Sequence, residues 1–472
     1  MAIEPAFDSK QMEPSTAGSH ARYLEPVLEE LDTMDLPVQG EIPAELDGSY
    51  VRNGPNAQFP RPDGWQYPYD GDGMLHVVTF AQSRARYRNR WVLTEDLVAE
   101  RQVGRSLHSG TFDTHPPGLT DPDAVGPKNW SNTNVVTHAG KLLSLWEGGA
   151  PYELNWRFGT VGEHTFDGTL PGAMCAHPKA DPVWDELLWF RVSPEPPYLV
   201  YGVVSPRGQV SRTTPIDLPR PVYMHDFAVT DQHVVFFDSP AVIDPAASTT
   251  GAPTVQWEPQ HGTRIGVMSR DGEHDHVRWF PVESRFAMHF MNAYNDGDAI
   301  VVDYIHRPSF EIDTAAGIEQ MPRLHRSVIE LGRGIVSDEM LDPTPVDMPR
   351  IDDRRAGLRY RYGYLAAVTN GDGRPNGVGF DTLMRYDLRT NAAVTHRFDD
   401  GVIVGEPQFV PRKDSLTEGD GWIMAFTYDV VHDRSELVIL DADDLAARPV
   451  ATVQLPQRVP AGLHGTWSPR TS

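Results

Sequence analysis

The chain has a single cysteine, Cys175, in 472 residues. No disulfide can form within it, and a reducing compartment is the expected setting. Basic residues are also scarce: 41 Lys and Arg stand against 66 Asp and Glu, a net charge of −25. That balance argues against a nucleic-acid partner, which needs a basic face. No apolar run reaches the ~18 residues of a spanning helix. Met1–Glu13 has no basic stretch leading into an apolar one, so no secretory signal is expected. The expected location is cytoplasmic or peripheral to a membrane. Long amphipathic helical patterns, low-complexity linkers and composition breaks after residue 40 are absent too. Several chemical motifs are missing: no Walker loop, HExxH, GxSxG or CxxC occurs. Gly377-Val378-Gly379 lacks the third glycine of a dinucleotide loop. Asp70-Gly71-Asp72-Gly73-Met74 has methionine where a calcium loop needs another oxygen, and reads as a hairpin turn. His274 and His276 lie in a charged loop and are expected to be solvated. Cys175 is expected to be a small buried residue.

What the chain does contain is strand and turn. Runs rich in Val, Ile, Phe, Tyr and Trp recur at His76–Phe80, Leu142–Trp146, His233–Phe237, Ala299–Ile305, Trp422–Tyr428 and Glu436–Leu440. Turn signals separate such runs at Asn295–Asp298, Asn370–Gly373 and Asp399–Gly401. The 40 Gly and 41 Pro fit a loop-rich fold. Short strands with tight turns indicate an all-β protein. A β-propeller suits this size, since seven blades would take about 60 residues each. No repeat is visible, so the blade count does not follow from the pattern. Residues 1–36 read as an N-terminal arm, with a short helix expected over Pro26–Met34, because Pro26 suits a first helical position. Residues 37–472 read as one catalytic domain.

Four histidines stand in distinctive surroundings: Ala176-His177-Pro178, Met224-His225-Asp226, Met288-His289-Phe290 and Leu463-His464-Gly465. They are 48, 64 and 175 residues apart. No local metal motif has such gaps. Only a closed fold that brings distant strands to one axis would unite them. Taken singly, each is an ordinary partly buried histidine.

Other segments carry a resemblance. Tyr50-Val51-Arg52-Asn53-Gly54-Pro55-Asn56, Tyr69-Asp70-Gly71-Asp72-Gly73-Met74-Leu75-His76, Lys141-Leu142-Leu143-Ser144-Leu145-Trp146-Glu147-Gly148-Gly149 and Gly405-Glu406-Pro407-Gln408-Phe409-Val410-Pro411 resemble the motifs of the carotenoid cleavage oxygenase family. The likeness runs from about residue 40 to the end. It implies a seven-bladed β-propeller with a loop and helix cap over an axial iron site. It implies one Fe(2+) per chain, held by His177, His225, His289 and His464. Neutral imidazoles suit ferrous iron and leave positions open for O₂. Glu147 and Glu406 match two glutamates that orient ligand histidines in the family, by accepting the outer ring N–H. Asp347 stands where the family usually has a third glutamate. Its shorter reach implies either a shifted backbone or a more loosely held histidine. Phe59, Thr133 and Trp146 fall to the substrate and O₂ cavity.

The activity implied is cleavage of a conjugated C=C bond of a carotenoid or apocarotenoid by O₂, giving two carbonyl products. The implied partners are an apolar polyene, O₂ and, weakly, a membrane surface. Three alternatives stay open. These are a stilbene-cleaving dioxygenase, a non-oxidative retinoid isomerohydrolase and an iron-free propeller that only binds. Phenol-cleaving members have a lysine before the first glutamate and a tyrosine upstream. This chain has Trp146 there and no tyrosine from Trp91 to Pro151, which favours the polyene. If Trp146 and Glu147 share a strand they point to opposite faces, unless a bulge intervenes.

Overall fold

A computed structural model describes residues 22–59, 69–111, 128–244, 246–247, 254–271, 276–310, 321–369 and 379–470. Most of its described strands form seven antiparallel units of about four strands, arranged as the blades of a propeller, while Ala241–Ile243 and Val255–Trp257 pair separately. Blade 1 runs Gly465–Pro469, Gly48–Pro55, Gly73–Ala81, Arg84–Trp91, with Asp32–Thr33 on its edge. Blade 2 is Asn134–His138 through Thr160–Glu163, and blade 3 is Lys179–Ala180 through Val210–Ile216. Blade 4 joins Ala228–Val229, His233–Asp238, Thr263–Ser269 and Arg278–Val282. Blade 5 begins with Phe286–Asp296. Its last strand, Ile335–Arg350, runs on to become the first strand of blade 6. In blade 7, Val402–Val404 and Gln408–Pro411 both pair with Gly421–Asp429.

The ring closes by exchange of chain ends. The late strand Gly465–Pro469 pairs with Gly48–Pro55 in blade 1, while the early strand Val38–Gly40 pairs with Ala451–Gln454 in blade 7. Propeller blades are covered on both faces, and the sequence reflects this. Middle strands such as Leu199–Val204 are buried at every position. Outer ones such as Val210–Ile216 alternate. Apolar clusters fill the wedges between blades: Leu187, Phe190, Tyr201 and Phe236 belong to one, and Tyr50, Val78, Phe426 and Ile439 to another.

Each of the six apolar runs noted above lies within a strand, apart from Trp146 at the end of its run. Asn295–Asp298 and Asp399–Gly401 lie at turns between strands, with Gly297 and Gly401 in the left-handed region their φ of 61° and 84° demands. The Asn370–Gly373 signal lies outside the described residues, as do Gly377, Val378 and His274. His276 is exposed and Cys175 is buried in the core. Burial pushes the Cys175 thiol up to about 12.

Two local expectations fail. Pro26–Met34 is extended, with a strand at Asp32–Thr33. Distant side-chain amides take its backbone bonds: Val27 N–H donates to Asn56 Oδ1 at 2.8 Å and Leu31 N–H to Asn89 Oδ1 at 2.7 Å. Asn56 and Asn89 in turn donate to the carbonyls of Val27 and Glu29. With its groups satisfied across the chain, the segment has no need of a helix. Asp70–Gly73 is likewise no tight hairpin. Pro55 pairs with Gly73, so these residues end a long connection. Asp72 there meets Lys128 Nζ at 2.5 Å, and Lys128 also donates to Glu100 at 2.6 Å, all three buried. Glu100 comes from α1 (Glu95–Val103), which is capped by the Thr94 side chain and ends at left-handed Gly104.

Candidate metal centre

The distant histidines meet where blades 1, 3, 4 and 5 begin. His177 precedes Lys179–Ala180, His225 precedes Ala228–Val229, His289 lies within Phe286–Asp296, and His464 immediately precedes Gly465–Pro469. All four are buried, and one ring nitrogen from each lies within 4.8 Å of the others. The rings stand edge to face, with centroids 4.4–5.1 Å apart. The Nε2 atoms of His177 and His225 are 3.0 Å apart, and Nε2 of His289 is buried with no hydrogen-bond partner. Inward lone pairs that make no bond to protein are what a four-imidazole metal site requires. The residues therefore fit a metal ion.

Backbone bonds hold these positions. His464 N–H donates to Thr133 O, and its carbonyl accepts from Asn53 N–H, each at 3.0 Å. The Asn53 amide also donates to Ser131 O and Ser144 Oγ in the segment leading into and forming blade 2. Asn134 Nδ2 donates to the carbonyl beside His177 at 2.8 Å. Asp226, next to His225, accepts from Phe290 N–H, next to His289, at 2.8 Å, and pairs with Lys179 at 2.7 Å.

The remaining three blades supply carboxylates. Glu147 follows the second strand of blade 2, Asp347 lies on the first strand of blade 6, and Glu406 sits between the two short first strands of blade 7. Each faces an Nδ1 atom: His225 to Glu147 at 3.1 Å, His289 to Asp347 at 2.6 Å and His464 to Glu406 at 2.8 Å. No carboxylate backs His177 among the described residues. A carboxylate at Nδ1 accepts its N–H and turns the Nε2 lone pair inward.

The shorter acid, Asp347, makes the shortest of the three contacts. The ladder slips between Asp347 and Arg350, and Met348 takes a φ of +55°. A bulge therefore sits at the position where the side chain is one methylene short. Arg307 donates to the other Asp347 oxygen at 2.9 Å.

Electrostatics follow from burial and neighbours. Burial raises the three carboxyl groups, but the facing imidazoles and, for Asp347 and Glu406, Arg307 and Arg350 outweigh it and leave all three below their usual range. Burial, and then the three neighbouring histidines, drive His177 far down, so it stays neutral. For His225, burial is outweighed by Glu147 and the value rises. For His289, burial wins over Asp347 and it falls.

Trp146 is buried, yet among the described residues it joins none of the apolar clusters between blades. The strand before it stops at Leu145, and Gly149 N–H donates back to Trp146 O, so strand alternation does not govern Trp146 and Glu147. A Cβ on Gly148 would stand 2.2 Å from the Trp146 indole, which is why glycine follows. Thr133 is buried at the entrance to blade 2 with its hydroxyl donating to Asn132. Phe59 packs with Val27 against Met74, Trp91 and Leu97.

Sequence reasoning missed Tyr223. Its hydroxyl donates to Glu147 at 3.0 Å and lies 3.1 Å from His225 Nδ1. Its ring packs with Phe286 and Phe310 at centroid distances of 6.1 and 5.0 Å. It also missed Asp226, Arg307 and Arg350. Position two before a ligand histidine was the available signal for Tyr223, and adjacency for Asp226. On the strand side, a cavity of about 310 Å³ is bordered by His177, His289 and His464 together with polar Lys179, Asp226 and Arg350.

Comparison with known proteins gives a consistent result. The family model described as retinal pigment epithelial membrane protein matches residues 24–469. A carotenoid cleavage oxygenase of Mycobacterium tuberculosis is 34% identical over 95% of this chain and 97% of its own. An isoeugenol monooxygenase of Pseudomonas nitroreducens is 32% identical over 93% of this chain and 96% of its own. A solved variant of the Synechocystis apocarotenoid oxygenase superposes with a TM-score of 0.88 at 28% identity, covering 96% of this chain and 99% of that one.

Proposed function

This chain belongs to the carotenoid cleavage oxygenase family, which includes the retinal pigment epithelial membrane protein, and is an O₂-using oxidoreductase; from that premise we propose that it cleaves a conjugated C=C bond of a carotenoid or apocarotenoid into two carbonyl products. The observation that carries the proposal is the convergence of four buried imidazoles, three of them backed at Nδ1 by carboxylates.

His177, His225, His289 and His464 would hold a ferrous ion, which supplies the one-electron chemistry that O₂ needs to react with a closed-shell alkene. Glu147, Asp347 and Glu406 fix the ring tautomers, placing the neutral ring's proton on Nδ1 so that Nε2 is the lone-pair donor, and raise its basicity. His177 needs no such partner to stay neutral, because burial among three other imidazoles already disfavours its charged form. Trp146, beside Glu147, offers a broad apolar face to a polyene and no charge to a phenol. Thr133 contributes a small buried wall with its hydroxyl turned to Asn132. No residue need act as a general acid or base.

A second reading has one observation in its favour. The isoeugenol monooxygenase relative is named for a phenolic alkene. Incubation of the iron-loaded protein with carotenoids, apocarotenoids, stilbenes and isoeugenol, with product mass spectrometry, separates the two. Aldehydes from polyenes alone support the proposal. Turnover confined to the phenols replaces it with the second reading.

A further inference from the structure

Most blade interfaces are filled with apolar side chains, but the one between blades 1 and 2 is filled only in its inner part. There Val51, Val77, Val135, Leu142 and Leu154 pack together. Further out the wedge opens into a groove of about 1130 Å³. Its walls carry six arginines: Arg84, Arg86, Arg88 and Arg90 from one strand, Arg157 from a turn of blade 2 and Arg470 after the closing strand. The strand sequence alternates arginine with buried residues, so period-two geometry sets four guanidinium groups on one face. Along its outer edge it pairs with Asp32–Thr33, and Ala85 O accepts from Leu36 N–H at 3.1 Å.

Counter-charge is short. Asp32, Asp35 and Asp47 are the acids in the groove. Asp32 alone serves Arg86 at 2.6 Å, Arg88 at 2.8 Å and Arg90 at 3.8 Å. The Arg86 hydrogen bond and then the Arg88 guanidinium hold the Asp32 carboxyl down at about 2, against the effect of burial. Arg84 and Arg470 have looser partners, at 3.4 and 3.6 Å. The Arg157 guanidinium makes no ion pair among the described residues. Six cations facing three anions is the reverse of a chain that carries −25. Gathering like charges in a concave site is costly unless an anion relieves it.

We propose that this groove binds a soluble anion bearing several phosphate groups. Guanidinium forks match phosphate oxygens two at a time, and several forks in one wedge favour a ligand with charges in a row. Exposed Trp156 at the same groove offers an apolar face to whatever the phosphates are attached to. A membrane headgroup plane fits less well. The Arg88 side chain is only 15% exposed inside the wedge, and the net charge of the chain repels an anionic surface.

The test uses inorganic tripolyphosphate as probe and the full chain, by isothermal titration at low ionic strength. One site per chain is expected. Arg84→Glu with Arg157→Glu should weaken it at least about tenfold, while circular dichroism and metal content stay as in the parent. Arg157→Ala alone, which breaks no ion pair, should weaken it a few-fold. Absence of one-site binding in the parent overturns the proposal, as does undiminished binding in both variants. Capture of the parent by phosphatidylserine vesicles, with no tripolyphosphate isotherm, also overturns it and makes the groove a surface contact.

Discussion

Asp347→Asn removes one negative charge and almost no volume from behind His289. Asp347 is buried, and one oxygen lies 2.6 Å from His289 Nδ1 while the other lies 2.9 Å from Arg307. A hydrogen bond to a charged group contributes about 1.5–3 kcal/mol, against about 0.5–1.5 for a neutral pair. An asparagine accepts only through Oδ1, so one of the two bonds is weakened by roughly 1 kcal/mol and the other is lost, because its donor then faces the amide NH₂. The Arg307 share falls on the stability of the fold, because that guanidinium stays buried without its counter-charge. The His289 share falls on metal binding, and with the lost basicity of the imidazole it should lower ferrous affinity about 10–100-fold. Anaerobic competition against a colorimetric ferrous chelator measures this directly. A folded Asn variant with parental ferrous affinity would refute the role given to Asp347. Asp347→Glu is the companion. It adds roughly 1.5 Å of chain to a contact already at hydrogen-bond distance. It should cost about 1–3 kcal/mol as overpacking, read as a lower urea midpoint.

Four further outcomes are expected. His225→Ala and His464→Ala should each reduce iron from about one per chain to near zero by elemental analysis, and full stoichiometry in both would reject the four-histidine site. Trp146→Lys should leave iron bound but sharply cut apocarotenoid turnover, with hydroxystilbenes admitted weakly; normal carotenoid kinetics in that variant would sink the substrate assignment. Tyr223→Phe keeps the ring packing and removes one donor from Glu147, so ferrous affinity should change by no more than about tenfold, the worth of one hydrogen bond; complete loss of metal would make the hydroxyl a structural necessity. His76 is held neutral down to about 3 by burial and then by Arg52 and Arg458, from an ordinary 6.5. The unfolded chain therefore takes up its proton first. Stability from this group is fully present above pH 6.5 and is lost as pH falls toward 3, by up to about 5 kcal/mol. In His76→Gln the acid limb of a urea-midpoint profile should flatten over that window, and an unchanged profile would show that other groups carry it.

Several features of the fold were legible for a physical reason. A strand covered by blades on both faces is apolar at consecutive positions, as in Trp422–Tyr428, and such runs stand out. The failures lie where partners are remote. Nothing local in Pro26–Met34 announces that Asn56 and Asn89 will take its backbone bonds. Nothing in Asp70–Gly73 says that its strand partner ended at Pro55. The site shows the same division. The gaps of 48 and 64 residues between His177, His225 and His289 correspond to successive blades, and the gap of 175 before His464 spans blades 6 and 7 on the way round to blade 1. That arithmetic makes sense only once the blades are known, so the four residues came from family likeness and not from spacing. Tyr223 and Asp226 stand beside His225 in the sequence, but their contacts, like those of Arg307, are visible only in the folded chain.

The exchange of chain ends sets an order of events during biosynthesis. His464 and the strand that follows it are made after the strands of every other blade, yet they complete the first blade. A nascent chain with six finished blades still presents only His177, His225 and His289. Tight metal capture must therefore wait until the ring has shut. If the four histidines hold the metal, an incompletely made or unclosed molecule would offer only three of its ligands, and metal would be committed only to chains whose folding has been carried through.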